Sequence, residues 1–133
     1  MKSTIEQVAE FHRAFECPVL ETPQPPPIDR AELRLKLLFE EFTELGDAFA
    51  ARNITEILDA LTDIQYILDG TYLECGLQHV KEPAFEIVHR SNMSKLNSDG
   101  HPVRREDGKI LKGENYQPPH LHALFDPDYW RNR

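Results

Sequence analysis

Apolar residues recur every three or four positions through most of the first hundred residues, the spacing of helices with one buried side rather than of strands. The first such stretch runs from about Thr4 to Phe15, with Ile5, Val8, Phe11, Ala14 and Phe15 on one side, and ends before Pro18. Five prolines between Glu16 and Ile28 (Pro18, Pro23, Pro25, Pro26 and Pro27) force an extended, stiff strap that can neither continue a helix nor donate to a ladder. Asp29, with Glu32 three residues on, reads as the capping box of a second helix that continues to about Ala51. Asn53 and Glu56 repeat the signal, and the third helix passes through Leu73 to a stop at Gly76. A fourth begins near Glu82 and Pro83 and reaches about Leu96. Beyond it the pattern changes: Asp99-Gly100 and Asp107-Gly108 are turn dipeptides, and Pro102-Val103-Arg104 is expected to pair with Lys109-Ile110-Leu111 in a small hairpin. The tail from Glu114, with Tyr116, Pro118, Pro119, Phe125, Tyr129 and Trp130, is expected to pack along the surface as an ordered strap. The prediction is an all-α fold with a small hairpin and an extended tail, in a single domain over residues 1–133.

The polar positions of the two central helices are acidic. On the second helix Leu35, Leu38, Phe42, Leu45 and Phe49 form one apolar stripe that calls for a partner helix. At ~100° per residue, Glu41 falls roughly 70° from the centre of that stripe, at the core boundary, with Glu44 somewhat further round. On the third helix the stripe is Ile54, Ile57, Leu61, Ile64 and Leu68, while Glu56, Asp59 and Asp63 share an arc of about 60° on another face. A link as short as Arg52-Asn53 makes these helices antiparallel neighbours, so their acidic arcs can meet. Like charges at this spacing repel, by roughly 0.2–0.5 kcal/mol per exposed pair. A hard divalent cation among the carboxylates would offset the cost, and magnesium commonly bridges a few carboxylates to substrate phosphates. Against this stands the reading in which the acids are solvated positions of ordinary amphipathic helices.

Charge narrows the choice of partner. With 23 Asp and Glu against 15 Lys and Arg, a net -8 at pH 7, the chain is a poor candidate for duplex nucleic acid, which requires positive surface. Cys17 and Cys75 are too far apart in sequence to form a zinc knuckle or a disulfide framework, which points to a reducing cytosol. The first ten residues include Glu6 and Glu10 and lack the apolar core of a signal peptide, and no apolar stretch is long enough to span a bilayer; a cytoplasmic protein without a membrane partner is expected. Glycine is too sparse for a P-loop, so phosphate would have to be met by metal and side chains. His120 and His122, spaced by one residue in a proline-rich tail, do not define a zinc site, and no cysteine or serine carries a nucleophile signature.

The segment Leu38-Phe39-Glu40-Glu41-Phe42-Thr43-Glu44-Leu45 resembles the EExxE motif of the MazG-like all-α nucleoside triphosphate pyrophosphohydrolases, a superfamily that includes phosphoribosyl-ATP pyrophosphohydrolases and dimeric dUTPases. Asp59-Ala60-Leu61-Thr62-Asp63-Ile64-Gln65-Tyr66, followed by Gly70-Thr71, resembles its second metal-binding helix. His89-Arg90-Ser91-Asn92-Met93-Ser94-Lys95 and Asp107-Gly108-Lys109-Ile110-Leu111-Lys112 resemble one branch of the superfamily, and the order of these blocks over about residues 30–119 is more specific than any one of them. One departure stands out. The second motif is usually ExxD, and here it reads either as Glu56 with Asp59 or as a variant ending at Asp63 with Ala60 in the glutamate position.

The resemblance implies a four- to five-helix bundle, Mg²⁺ (or Mn²⁺) as cofactor, a nucleoside triphosphate substrate and a homodimer or higher homo-oligomer. It implies Glu41, Glu44, Asp63 and Asp59 as metal ligands, with Glu56 the last candidate, and Glu40 with Glu41 as the catalytic carboxylates, Glu40 orienting water as general base. Asn92 and Lys95, three apart at a helix end, would contact sugar and phosphate; Arg104, Lys109 and Lys112, with Arg105, concentrate positive charge on the hairpin and would close over a triphosphate. The expected reaction is hydrolysis of a (deoxy)nucleoside triphosphate to the monophosphate and pyrophosphate. Its rivals are phosphoribosyl-ATP hydrolysis and a non-catalytic helical nucleotide-binding or interaction module.

Overall fold

The computed structural model describes residues 1–131. Four long helices account for most of it: α1 (Thr4–Ala14), α2 (Ile28–Ala51), α3 (Ile54–Glu74) and α4 (Lys81–Met93). A two-residue antiparallel pair, β1 (Val103–Arg104) with β2 (Ile110–Leu111), a 3-10 turn at Leu121–Phe125 and the short α5 (Pro127–Arg131) complete the chain. The all-α class, the hairpin and the tail are as the periodicity predicts. The chain divides into two compact units, Met1–His79 and Val80–Arg133.

In the first unit, α3 is the axis. Val8 and Ala9 of α1 and Leu73 of α3 form a small buried core, to which Ile5 and Val19 add half-buried surface, and Phe11 meets the Tyr66 ring edge-on at 5.6 Å. Ser3 caps α1 by accepting from the Glu6 N–H. The proline strap docks on the C-terminal end of α3, where helix carbonyls lack partners. The Leu20 N–H donates to the Leu73 carbonyl (2.9 Å), the Gln24 N–H to that of Cys75 (3.0 Å), and Gln78 Nε2 to that of Leu20 (2.7 Å). Gly76 turns the chain at φ +66°, and a Cβ there would run into the Thr22 carbonyl. Prolines therefore keep the strap straight while the residues between them donate the bonds that fasten it.

Two sequence expectations need correction here. Asp29 is not the cap of α2: the helix begins at Ile28, and Pro27, at φ -53° and ψ 151°, is the cap residue with no side-chain bond. A proline already held in the extended region hands the chain directly into a helix, and Asp29 then lies in the first turn, where its charge complements the helix dipole. The second correction concerns the apolar stripes. Leu35, Phe42 and Phe49 are more than half exposed, and Ile54, Leu61 and Leu68 are also exposed. The buried residues are instead Arg34 and Ala48 on α2 and Ala60, Asp69, Gly70, Leu73 and Glu74 on α3, and Arg34 meets Ile67, Thr71 and Glu74 across the helix pair. Periodicity identifies an apolar face; it does not say that the covering surface lies in the same chain.

The second unit is organised on α4, which ends at Met93, three residues before the expected limit. Ser91 Oγ donates to the Gln117 carbonyl (2.8 Å), the Gln117 N–H donates to Ser94 Oγ (2.9 Å), and the Ser98 N–H donates to Glu114 (2.8 Å), so the segment before the 3-10 turn is clasped to the helix end. Leu124 is buried, and Trp130 Nε1 donates to its carbonyl at 2.9 Å, which orders the tail. In the hairpin Val103 pairs with Leu111 and Arg104 with Ile110, around a turn that places Gly108 at φ +88°.

Candidate metal centre

Asn53 accepts from the Thr55 and Glu56 N–H groups at 3.1 Å and starts α3 directly after Arg52 closes α2 in the left-handed region. So tight a reversal sets the two helices side by side and pairs positions equidistant from it. Glu41 and Asp63 are such a pair, on the contact between the helices, and Glu44 follows Glu41 by nearly one turn. Carboxylate oxygens of Glu41, Glu44 and Asp63 all lie within 4.8 Å of one another. Glu41 and Asp63 are half-buried and Glu44 is exposed, so the cluster is anchored between the helices and open on one side.

This geometry is electrostatically unfavourable by itself. Burial, then the charges of Glu44 and Asp63, push the Glu41 carboxyl up to about 6; burial, then Asp59 and Glu44, push Asp63 up as well. Glu41 Oε2 is buried and has no hydrogen-bond donor among the described residues. A buried carboxylate oxygen without a donor is costly, and a small hard cation would satisfy it. The donor set, carboxylate oxygens without sulfur or imidazole, suits magnesium or manganese rather than zinc. The residues fit the metal that the sequence motifs imply.

Of the four expected ligands, three come together; Asp59 does not join the cluster. It lies one turn before Asp63, close enough to raise the latter's pKa, and lines an acidic recess with Glu44, Asp47, Glu56 and Ala60. Ala60, in the position where the usual motif has glutamate, is buried between the helices with 2% exposure. Asp63 is therefore the aspartate that meets Glu41 and Glu44, and Glu56 lies at the start of α3, its N–H capped by Asn53. Asp47 was missed by the sequence reading, although it follows Glu44 by three residues and so extends the same acidic side. Glu40 is exposed on α2 beside Glu41 and outside the three-residue cluster.

The basic candidates all belong to the second unit. Asn92 is exposed near the end of α4 and Lys95 half-buried in the turn after it, their backbones joined by a 3.1 Å bond from the Lys95 N–H to the Asn92 carbonyl. Arg104 and Lys109 are exposed on the hairpin, and the Lys112 ammonium lies over the Tyr116 ring at 4.8 Å. Arg105 is engaged by Asp107 through two bonds, at 2.9 and 2.6 Å, which takes it out of the pool of uncommitted charge.

A second polar constellation was not anticipated. Arg30 donates to both oxygens of Glu74 (2.8 and 3.0 Å), and Arg34, buried, donates to Glu74 (2.9 Å), to Thr71 Oγ1 (3.1 Å) and to the Ile67 carbonyl (2.6 Å). The available signal was Arg30 and Arg34 four apart on one side of α2, along the edge of its apolar stripe.

Comparison with known proteins gives the family. Residues 8–92 match the model of the phosphoribosyl-ATP pyrophosphohydrolase family. An uncharacterized protein of Acanthamoeba polyphaga mimivirus is 30% identical over 119 residues, which are 84% of this chain; the chain spans 44% of that protein's length. A crystal structure from Exiguobacterium sp. 255-15, described as a candidate NTP pyrophosphohydrolase, superposes with a TM-score of 0.50 at 27% identity, covering 99% of each chain. The MazG-like resemblance read from the EExxE segment and the second acidic helix is thus borne out, and the chain belongs to the phosphoribosyl-ATP pyrophosphohydrolase family, within the MazG-like all-α pyrophosphohydrolases.

Proposed function

We propose that the chain hydrolyses a nucleoside triphosphate, with a deoxynucleotide as the preferred form, to the monophosphate and pyrophosphate, with Mg²⁺ (or Mn²⁺) held by Glu41, Glu44 and Asp63 and assisted by Asp59. The observation that carries this reading is the buried, donorless Oε2 of Glu41 gathered with two further carboxylates in a member of a pyrophosphohydrolase family. A metal held by these carboxylates would supply positive charge against the phosphates and make water a better nucleophile near neutral pH. Water provides the new oxygen on phosphorus, and the anhydride bond between the first and second phosphoryl groups breaks. Glu40, exposed beside Glu41, orients that water and takes its proton. Asn92, Lys95, Arg104, Lys109 and Lys112 are the proposed sugar and phosphate contacts; Lys95→Ala should raise KM for the triphosphate about tenfold or more while the protein still folds.

The family match crosses the boundary between the two compact units, which supports one catalytic domain over the chain. Exposure of Leu35, Phe42, Phe49, Ile54, Leu61 and Leu68 supports a homodimer or higher homo-oligomer in which a second copy covers them. No helix among the described residues is long and apolar enough to cross a membrane, which agrees with a cytoplasmic nucleotide enzyme.

The family description favours a second reading, phosphoribosyl-ATP as the substrate. Both are tested by following products by phosphorus NMR across the common ribo- and deoxyribonucleoside triphosphates and phosphoribosyl-ATP. Pyrophosphate from a common triphosphate supports the first reading; turnover confined to phosphoribosyl-ATP replaces it with the second, and turnover of neither rejects both.

A further inference from the structure

We propose that Arg34, with Arg30 and Glu74, is a positioning device that holds the Glu41 and Asp63 carboxylates in register for metal binding; this rests on the reading of the acidic cluster as a metal site.

The three acceptors of the Arg34 guanidinium, the Ile67 carbonyl, Thr71 Oγ1 and Glu74 Oε2, lie on successive turns of α3, while Arg34 itself is on α2. A planar fork bonded at three points restrains both sliding and rotation of one helix against the other, which apolar contacts do weakly. Glu41 follows Arg34 by seven residues, two turns on the same face, and Asp63 precedes Ile67 by four. The tie and the carboxylates are thus separated by about 10 Å of helix on one side and about 6 Å on the other. A slip of one turn, about 5.4 Å, would exceed the 4.8 Å spread of the cluster and disperse it.

The surroundings are shaped for this arginine. A Cβ at Gly70 would come within 2.5 Å of Arg34 Nη2 and 2.6 Å of His12 Nε2, so glycine is what leaves room for both side chains. His12, buried, donates from Nδ1 to the Pro18 carbonyl at 2.9 Å, which fastens the strap beside the tie. Arg30 grips both oxygens of Glu74 and fixes the carboxylate that Arg34 uses. Buried charge networks are seldom a large source of stability, because apolar replacements of the same shape are often as stable. What such a network adds is direction. Here the direction opposes the mutual repulsion of Glu41, Glu44 and Asp63, which acts to separate the helices where the metal must bind.

The test is Mn²⁺ binding by calorimetry on metal-stripped protein, with melting curves alongside. Arg34→Lys keeps the charge opposite Glu74 and loses the fork; its Mn²⁺ dissociation constant should rise about tenfold to hundredfold, as for other groups that orient metal ligands. The apolar variant Arg30→Met, Arg34→Met, Glu74→Leu should melt within a few degrees of the parent and show the same loss. In both, the Mg²⁺ concentration for half-maximal rate should rise more than kcat at saturating Mg²⁺ falls. A folded variant that binds Mn²⁺ as tightly as the parent overturns the proposal, and so does failure of both variants to fold, because the network would then act through stability. A parent protein that binds no Mn²⁺ overturns instead the metal reading on which the proposal rests.

Discussion

Glu41 is asked to stay charged while half-buried, crowded by Glu44 and Asp63, and with one oxygen lacking a donor. Removing that charge should therefore help the metal-free fold and harm the chemistry. Glu41→Gln and Asp63→Asn are each expected to lower turnover by orders of magnitude and, without metal, to raise the melting temperature at pH 7.5 or above; Glu56→Gln, outside the cluster, should be far milder. Steady-state kinetics and melting curves check all three, and a silent Asp63→Asn with a damaging Glu56→Gln would reverse the assignment of the second motif. The sign of the pH dependence follows from the same crowding. The carboxyl is pushed up to about 6, so the folded chain holds this proton more tightly than the unfolded one. Its contribution to stability is present below the ordinary carboxylate range and is lost as pH rises through about 6. Metal-free protein should thus lose melting temperature chiefly between pH 4.5 and about 6 in part through this group, and the slope should flatten in Glu41→Gln or with saturating Mg²⁺.

Helices α2 and α3 illustrate what a pattern of residues conveys and where it stops. Their limits were legible because Asn53 caps α3 and Gly76 ends it, both local signals; Pro27 displaced Asp29 as the start of α2 because an extended proline can begin a helix without a side-chain cap. The acidic cluster was legible for the same local reason: a two-residue reversal pairs Glu41 with Asp63 by counting. Asp59 was less so, since one residue of register moves a side chain by about 100° and Ala60 leaves the motif ambiguous. The Arg30–Arg34–Glu74 network was not legible, because it joins residues some forty positions apart and depends on an apolar-looking interface being polar. Its dependence on close approach makes a prediction for the helix pair. Gly70→Ala places a methyl group against Arg34 and His12 and should destabilise the fold by about 1–3 kcal/mol, read by denaturant unfolding. An unchanged midpoint would mean that the helices yield more easily than this packing implies.

Taken as a molecule, the chain leaves much apolar surface uncovered: the first unit's core cluster is Val8, Ala9 and Leu73, while Leu35, Phe42 and Phe49 of α2 and Ile54, Leu61 and Leu68 of α3 remain exposed. Hydrophobic faces of this kind are normally covered. Sedimentation should therefore find a dimer or larger species, and Phe42→Lys with Leu61→Lys should shift it toward monomer; a parent that is monomeric at micromolar concentration would contradict the assembly. The central claim is chemical, that carboxylate-held metal in a pyrophosphohydrolase of this family cleaves a nucleoside triphosphate. Its most direct test is pyrophosphate release from the preferred triphosphate by metal-stripped protein, in excess EDTA and then over a Mg²⁺ titration, with Asp63→Asn as control. The account predicts no release in EDTA, saturable recovery with Mg²⁺ in the parent, and recovery lower by orders of magnitude in the variant. Full release in EDTA, or equal rates for parent and Asp63→Asn across the titration, would contradict it.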